Sequence, residues 1–128
     1  MSYILLIEPN TLLAKTYTQA MQYAGHEVAH STGAQAAIMA ADKHMPDVVI
    51  LELQLPLHNG VEFLQEFRSY PEWKHIPVIV NTVIAPARLS SGGRTALKRD
   101  LGVETIVYKP RTSLRDLLRL VREHMPAA

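Results

Sequence analysis

DVVILELQLPLHNG, residues 47–60, decides the fold. Four consecutive aliphatic residues, Val48 to Leu51, lie between the helix-ending Pro46 and a turn built from Pro56, His58, Asn59 and Gly60. A short apolar run bounded in this way reads as a strand buried on both faces. The strand ends on a carboxylate, Glu52, and the turn then caps the start of a helix near Asn59. Glu52 is therefore expected at the C-terminal edge of a strand, where open parallel α/β sheets build their sites.

Outward from this stretch the pattern repeats. Tyr3 to Ile7 is an apolar run stopped by Glu8 and by Pro9, which has no amide to give to a sheet ladder. Asn10 caps a helix whose residues Leu12, Leu13, Ala20, Met21 and Ala24 recur near the helical period as far as Gly25. His26 to His30 alternates around Val28, which suits an edge strand, and Thr32 with Gln35 forms a candidate capping box for an Ala-rich helix from Gly33 to His44. Val61, Phe63, Leu64 and Phe67 stripe a helix that breaks before Pro71, and Trp73 is expected to cover the loop that follows. Pro77 opens the strand VIVNT, which delivers Asn81 and Thr82 at its end. A long loop, Val83 to Gly93, precedes a short helix from Arg94 to Leu101, with Ser90 to Gly93 as a candidate lid or disordered segment. The last strand is ETIVYKP. From Thr112 or Ser113 a final amphipathic helix turns Leu114, Leu117, Leu118, Val121 and Met125 inward.

The fold class is thus α/β: a single doubly wound (βα)5 domain over residues 1–128, a three-layer sandwich around a parallel five-stranded sheet of order 2-1-3-4-5, flavodoxin-like. Hydrophobic content of 48% and charged content of 20% are those of an ordinary globular chain. No run approaches the roughly 18 apolar residues of a membrane span. The N-terminus has neither a basic flank nor a small-residue cleavage site, so a cytoplasmic location is expected. Zero cysteines exclude disulfides, thiolate catalysis and Cys-based zinc sites. His26 and His30 are expected to share a strand face with no carboxylate beside them, which disfavours a metal there.

In the order 2-1-3-4-5, the strand ends bring Glu8, Glu52, Thr82 and Lys109 into one crevice. Two carboxylates, a hydroxyl and a lysine suit a phosphoryl or cation site, and equally a salt-bridged cluster without chemistry. At these residues the chain resembles the receiver domains of two-component response regulators, from Tyr3 to Glu123. ILLIEPN, VVILELQLPLHNG, IPVIVNT and IVYKP stand where that family has an acidic pair, a phosphorylated Asp followed by proline and glycine, a Thr or Ser, and a Lys-Pro. Pro56, Gly60, Thr82, Lys109 and Pro110 match. The resemblance implies a cis peptide at Lys109–Pro110.

Two departures fall on the same chemistry. Glu52 stands at the phosphoacceptor position, and Pro9 replaces the second acid, leaving Glu8 alone of the pair. Magnesium demands near-ideal octahedral oxygen geometry, so no cofactor is expected and magnesium should be weak or absent, with Glu8, Glu52 and the Gln54 backbone carbonyl as its weak candidate ligands. Glu52 can instead pair with Lys109, an attraction of about 4 kcal/mol at an effective dielectric of 20 that desolvation largely cancels. Ile106 holds the place of the family's switching aromatic. Tyr108, beside Lys109, is expected to point to the opposite face and to serve packing.

The resemblance so modified implies a pseudo-receiver: not an enzyme, but a signalling module that acts on a protein partner independently of phosphorylation, with Glu52 partly mimicking the phosphorylated state. Residues 1–87 carry four Lys/Arg against eight Asp/Glu, and residues 88–128 nine against four, so the net charge of +1 divides into −4 and +5. Receivers commonly dock through their fourth helix, fifth strand and fifth helix, which here present Arg94, Lys98, Arg99, Arg115, Arg119 and Arg122. An acidic protein partner fits that face better than a two-fold homodimer, which would oppose like charges, or nucleic acid, for which no recognition motif exists. Two alternatives stand. One is a working receiver phosphorylated on Glu52 with residual magnesium, the other a small flavodoxin-like nucleotide or flavin binder, which EPNTLL disfavours by its lack of a glycine-rich loop.

Overall fold

The computed structural model describes residues 2–126. Five strands, β1 (Tyr3–Ile7), β2 (Glu27–Ser31), β3 (Val48–Leu51), β4 (Val78–Thr82) and β5 (Val103–Tyr108), form one parallel sheet of order β2-β1-β3-β4-β5. Five helices connect and flank them: α1 (Thr11–Tyr23), α2 (Ala34–Lys43), α3 (Gly60–Phe67), α4 (Ser91–Arg99) and α5 (Leu114–His124). The expected fold class and strand order are those observed.

Each face of the sheet has its own core. Leu5, Ile7, Val49, Leu51 and Val80 pack beneath α2, α3 and α4, while Ile4, Leu6, Val48, Ile50 and Ile79 pack beneath α1 and α5. The two sets alternate along each strand, as side chains on a pleated strand must. All four residues of β3 are buried, which is the burial on both faces that VVIL implied. β2, at the edge, is half-exposed.

Caps mark the helix starts that place the site. Asn10 Oδ1 accepts from the Leu13 amide, and Asn59 with Glu62 makes a reciprocal capping box at α3. Gly60 lies so near β3 that a Cβ would stand 2.7 Å from Leu53 Cα. At the far end of α3, the Arg68 guanidinium donates to the carbonyls of Trp73, Lys74, Leu101 and Gly102, tying the 3-10 turn Pro71–Trp73 to the end of α4.

Several local expectations are corrected. α4 begins at Ser91, because Ser90 caps it through a hydrogen bond from the Gly93 amide; a glycine-containing first turn is helical here, and no lid is formed by Ser90 to Gly93. A 3-10 turn, Pro86–Arg88, further shortens the expected loop. Thr32 and Gln35 do not cap α2, whose N-cap is Gly33 without a side-chain bond. Trp73 is core: the 3-10 turn folds its ring onto Phe67, with centroids 5.1 Å apart, leaving it 4% exposed. The Lys109–Pro110 peptide is trans, with Pro110 inside the 3-10 turn Lys109–Arg111, where the fixed proline φ is already suitable. His26 precedes β2 and meets the Ser2 hydroxyl, while His30 donates through Nε2 to the Glu8 carbonyl.

Candidate functional site

β1, β3 and β4 end side by side, and Glu8 and Glu52, each one residue past its strand, share one crevice with Thr82, the last residue of β4, and with Lys109, which follows β5. The structure brings together Glu8, Glu52, Thr82 and Lys109, and both carboxylates are 2% exposed. Lys109 Nζ lies 2.6 Å from Glu8 Oε1 and 2.7 Å from Glu52 Oε1. Pro110 holds the turn that follows Lys109.

Glu52 is saturated. Its Oε1 accepts from Lys109 Nζ and from the Val83 amide at 3.0 Å, and its Oε2 accepts from the Thr82 hydroxyl and from the Gln54 amide at 3.0 Å. Glu8 Oε2 accepts from the Asn10 amide at 3.0 Å. Thr82 Oγ1 in turn accepts from the Ile84 amide at 3.1 Å, so the hydroxyl's orientation is fixed at both ends.

Burial alone would raise the Glu52 carboxyl. The hydrogen bonds from Lys109, Thr82 and Gln54, with the Lys109 charge, outweigh it and hold the group below the ordinary carboxylate value. For Lys109, burial alone would lower the ammonium, but its hydrogen bonds to Glu52 and Glu8 and their charges raise it above the usual lysine value. Both directions describe a buried Glu52–Lys109 pair in its charged form.

A divalent cation, which the resemblance brings to this edge, does not fit these donors. Every oxygen of Glu8 and Glu52 already accepts a proton donor, Lys109 stands between the two carboxylates, and Pro9 supplies no side-chain oxygen. Among the described residues, no group of three His, Asp or Glu side chains is arranged to hold a metal ion.

The remaining sequence candidates are dispersed over three places. Arg94 and Lys98 line a groove of about 270 Å³ with Thr82, Ile84, Ile106 and Tyr108. Tyr108 lines this groove with Ile106, whose side of the strand it shares by alternation, and β5 sets it beside Thr82. Arg115, Arg119 and Arg122 form a separate surface on α5 with Leu114 and Leu118. Arg99 turns to a cleft at the other end of α4, beside Arg68 and Lys74.

Residue types alone did not reveal the amides of Asn10, Gln54 and Val83, since backbone donors carry no compositional signal and only strand register locates them. A second unannounced feature is buried in β4. Asn81 Nδ2 donates to the Tyr17 hydroxyl at 3.2 Å across to α1, while Asn81 Oδ1 has no hydrogen-bond partner among the described residues.

Comparison with known proteins follows this geometry. The family model described as response regulator receiver domain matches residues 4–122. A probable transcriptional regulatory protein of Mycobacterium tuberculosis, TcrX, is 29% identical over 117 residues, covering 88% of this chain and 49% of that protein, so the chain spans about half of its length. The polar-differentiation response regulator DivK of Brucella anthropi is 27% identical over 107 residues, covering 84% of this chain and 83% of its own. Among solved structures, the chemotaxis protein CheY4 of Vibrio cholerae superposes with a TM-score of 0.86 at 22% identity, over 98% of this chain and 99% of that one.

Proposed function

Because the chain belongs to the response regulator receiver domain family of two-component signalling, we propose that it is a pseudo-receiver, a cytoplasmic protein-interaction module that works without phosphorylation and catalyses no reaction. One observation carries this reading: Glu52 accepts from Lys109, Thr82, Val83 and Gln54 at once. An ammonium, a hydroxyl and two amides are the donors that a phosphoryl group on a shorter acceptor side chain would need. The extra methylene, about 1.5 Å of additional reach, lets the chain's own carboxylate engage all four.

Phosphoryl transfer depends on positioning and on neutralisation of charge, usually by metal. Glu52 has no oxygen free to attack, and the carboxylates that would share a metal share a lysine instead. Thr82 donates to Glu52, and Ile106 supplies no aromatic ring to move with it. The pocket is therefore fixed in one state, with the Glu52 anion in place of a signal-dependent one.

Output then rests on surface. Arg94 and Lys98 on α4 and the arginines of α5 suit a protein partner whose docking surface carries carboxylates.

The test is a titration with magnesium and beryllofluoride, a phosphoryl mimic, followed by amide NMR. The expected result is no change at Glu8, Glu52, Thr82 or Lys109 up to about millimolar metal. Saturable shifts that spread from the pocket to α4 would overturn the proposal and make Glu52 a phosphoacceptor.

A further inference from the structure

The side of the molecule remote from α5 carries a groove between α2 and α3 of about 510 Å³. Ile38, Met39 and Phe63 form its apolar lining, and Glu62 and Glu66 stand among its polar residues. Met39 is 65% exposed at this groove, where it continues the apolar lining of Ile38 and Phe63 to the surface. Carboxylates crowd the neighbouring surface: Glu66, together with burial, its own hydrogen bond, Asp42 and Glu72, raises the Tyr70 hydroxyl above its ordinary value. Among the described residues, Asp42, Glu66 and Glu72 have no ion-pair partner, while Glu62 is engaged by His58 at 3.4 Å and by the Asn59 amide of its capping box, which leaves Glu66 as the groove's free carboxylate.

α5 has the complementary chemistry. Leu114 and Leu118 lie between Arg115, Arg119 and Arg122 along a shallow groove of about 470 Å³. Arg119 is partly engaged by Asp116 and Glu123 on its own helix, whereas among the described residues Arg115 and Arg122 have no acidic side chain within ion-pair distance.

We propose that the acidic α2–α3 groove of one copy receives the basic α5 face of a second copy, head to tail. This rests on the reading of the basic face as a surface for an acidic partner, and it identifies this chain as one such partner. A two-fold contact through either face would oppose like charges, whereas a head-to-tail contact pairs unlike ones. α2 and α3 cover one side of the sheet and α5 the other, so one copy can engage two neighbours at once. The net charge of +1, divided into −4 and +5 along the sequence, leaves little long-range repulsion between copies.

Sedimentation velocity on the full chain over a concentration series tests this. At low salt, the weight-average sedimentation coefficient should rise with concentration past that of a dimer, and it should fall to the monomer value in about 0.5 M salt. Met39→Ala with Glu66→Ala removes one face, and Arg115→Ala with Arg122→Ala removes the other; all four side chains are exposed, so folding is preserved. Each double variant alone should associate at least about tenfold more weakly. An equimolar mixture of the two should form a dimer that grows no further, since each supplies only one intact face. Monomers at every concentration, or association that neither double variant weakens, would overturn the proposal. Neither result bears on the pocket, whose reading stands or falls on the beryllofluoride titration.

Discussion

Lys109 Nζ stands 2.7 Å from Glu52 Oε1 while also touching Glu8, so one ammonium is shared by two carboxylates that are almost entirely out of water. Lys109→Met would leave both charges buried and uncompensated. Breaking a buried pair from one side costs about 3–5 kcal/mol, and an unfolding free energy lowered by that amount, seen as a lower urea midpoint at an unchanged m-value, is the expected result. Glu52→Gln should cost less, because the amide oxygen still accepts from Lys109.

The same triad sets a pH dependence. Glu52 lies below the ordinary carboxylate value in the folded state, so its contribution is fully present above that ordinary value and is lost as pH falls through the lowered one. Lys109 lies above the ordinary lysine value, so its contribution is present below that value and is lost as pH rises through the raised one. Unfolding free energy should therefore fall at both extremes. Glu52→Gln should flatten the acid limb, as measured by denaturant titrations across the acid range; an identical limb in the variant would remove Glu52 as its source.

The pocket should be reversible by two substitutions. Glu52→Asp withdraws the carboxylate by one methylene, and Pro9→Asp restores a second acidic oxygen donor beside Glu8. The wild type is expected to show no magnesium heat in calorimetry. The double variant should bind the ion in about the millimolar range, with Glu52→Asp alone weaker. Equal affinity in all three proteins would show that neither position controls the ion.

Gly60 and Gly33 offer a matched pair. An alanine Cβ at Gly60 would meet Leu53 Cα at 2.7 Å and the Glu52 carbonyl at 3.0 Å, backbone atoms that cannot swing aside. Gly60→Ala is expected to destabilise by about 1–3 kcal/mol. At Gly33 nothing lies within 4 Å, and the backbone there is extended, so Gly33→Ala should be neutral or stabilising by up to about 1 kcal/mol. Thermal unfolding of both variants checks the contrast.

The architecture was legible because buried parallel strands must be apolar on both faces, and ILLI, VVIL and VIV are the only way such strands can read. Glu8 and Glu52 were legible for the same reason, each being the first polar side chain past a buried run, while Thr82 follows Asn81 at the end of β4 and Lys109 follows the IVY of β5. What escaped was short-range and depended on tertiary detail. Ser90 wins the start of α4 through one side-chain hydrogen bond that two glycines had masked, and Trp73 reaches Phe67 only because Pro71 opens a turn in the right direction.

An acyl phosphate is a message with a half-life: water ends it. The anion that Glu52 presents to Thr82 and Val83 is joined to the chain by carbon–carbon bonds, and no phosphatase can erase it. On the proposed reading, the strength of the signal is then the number of molecules in the cell. Its timing passes from a kinase and a hydrolysis rate to synthesis, proteolysis and competition for the partner.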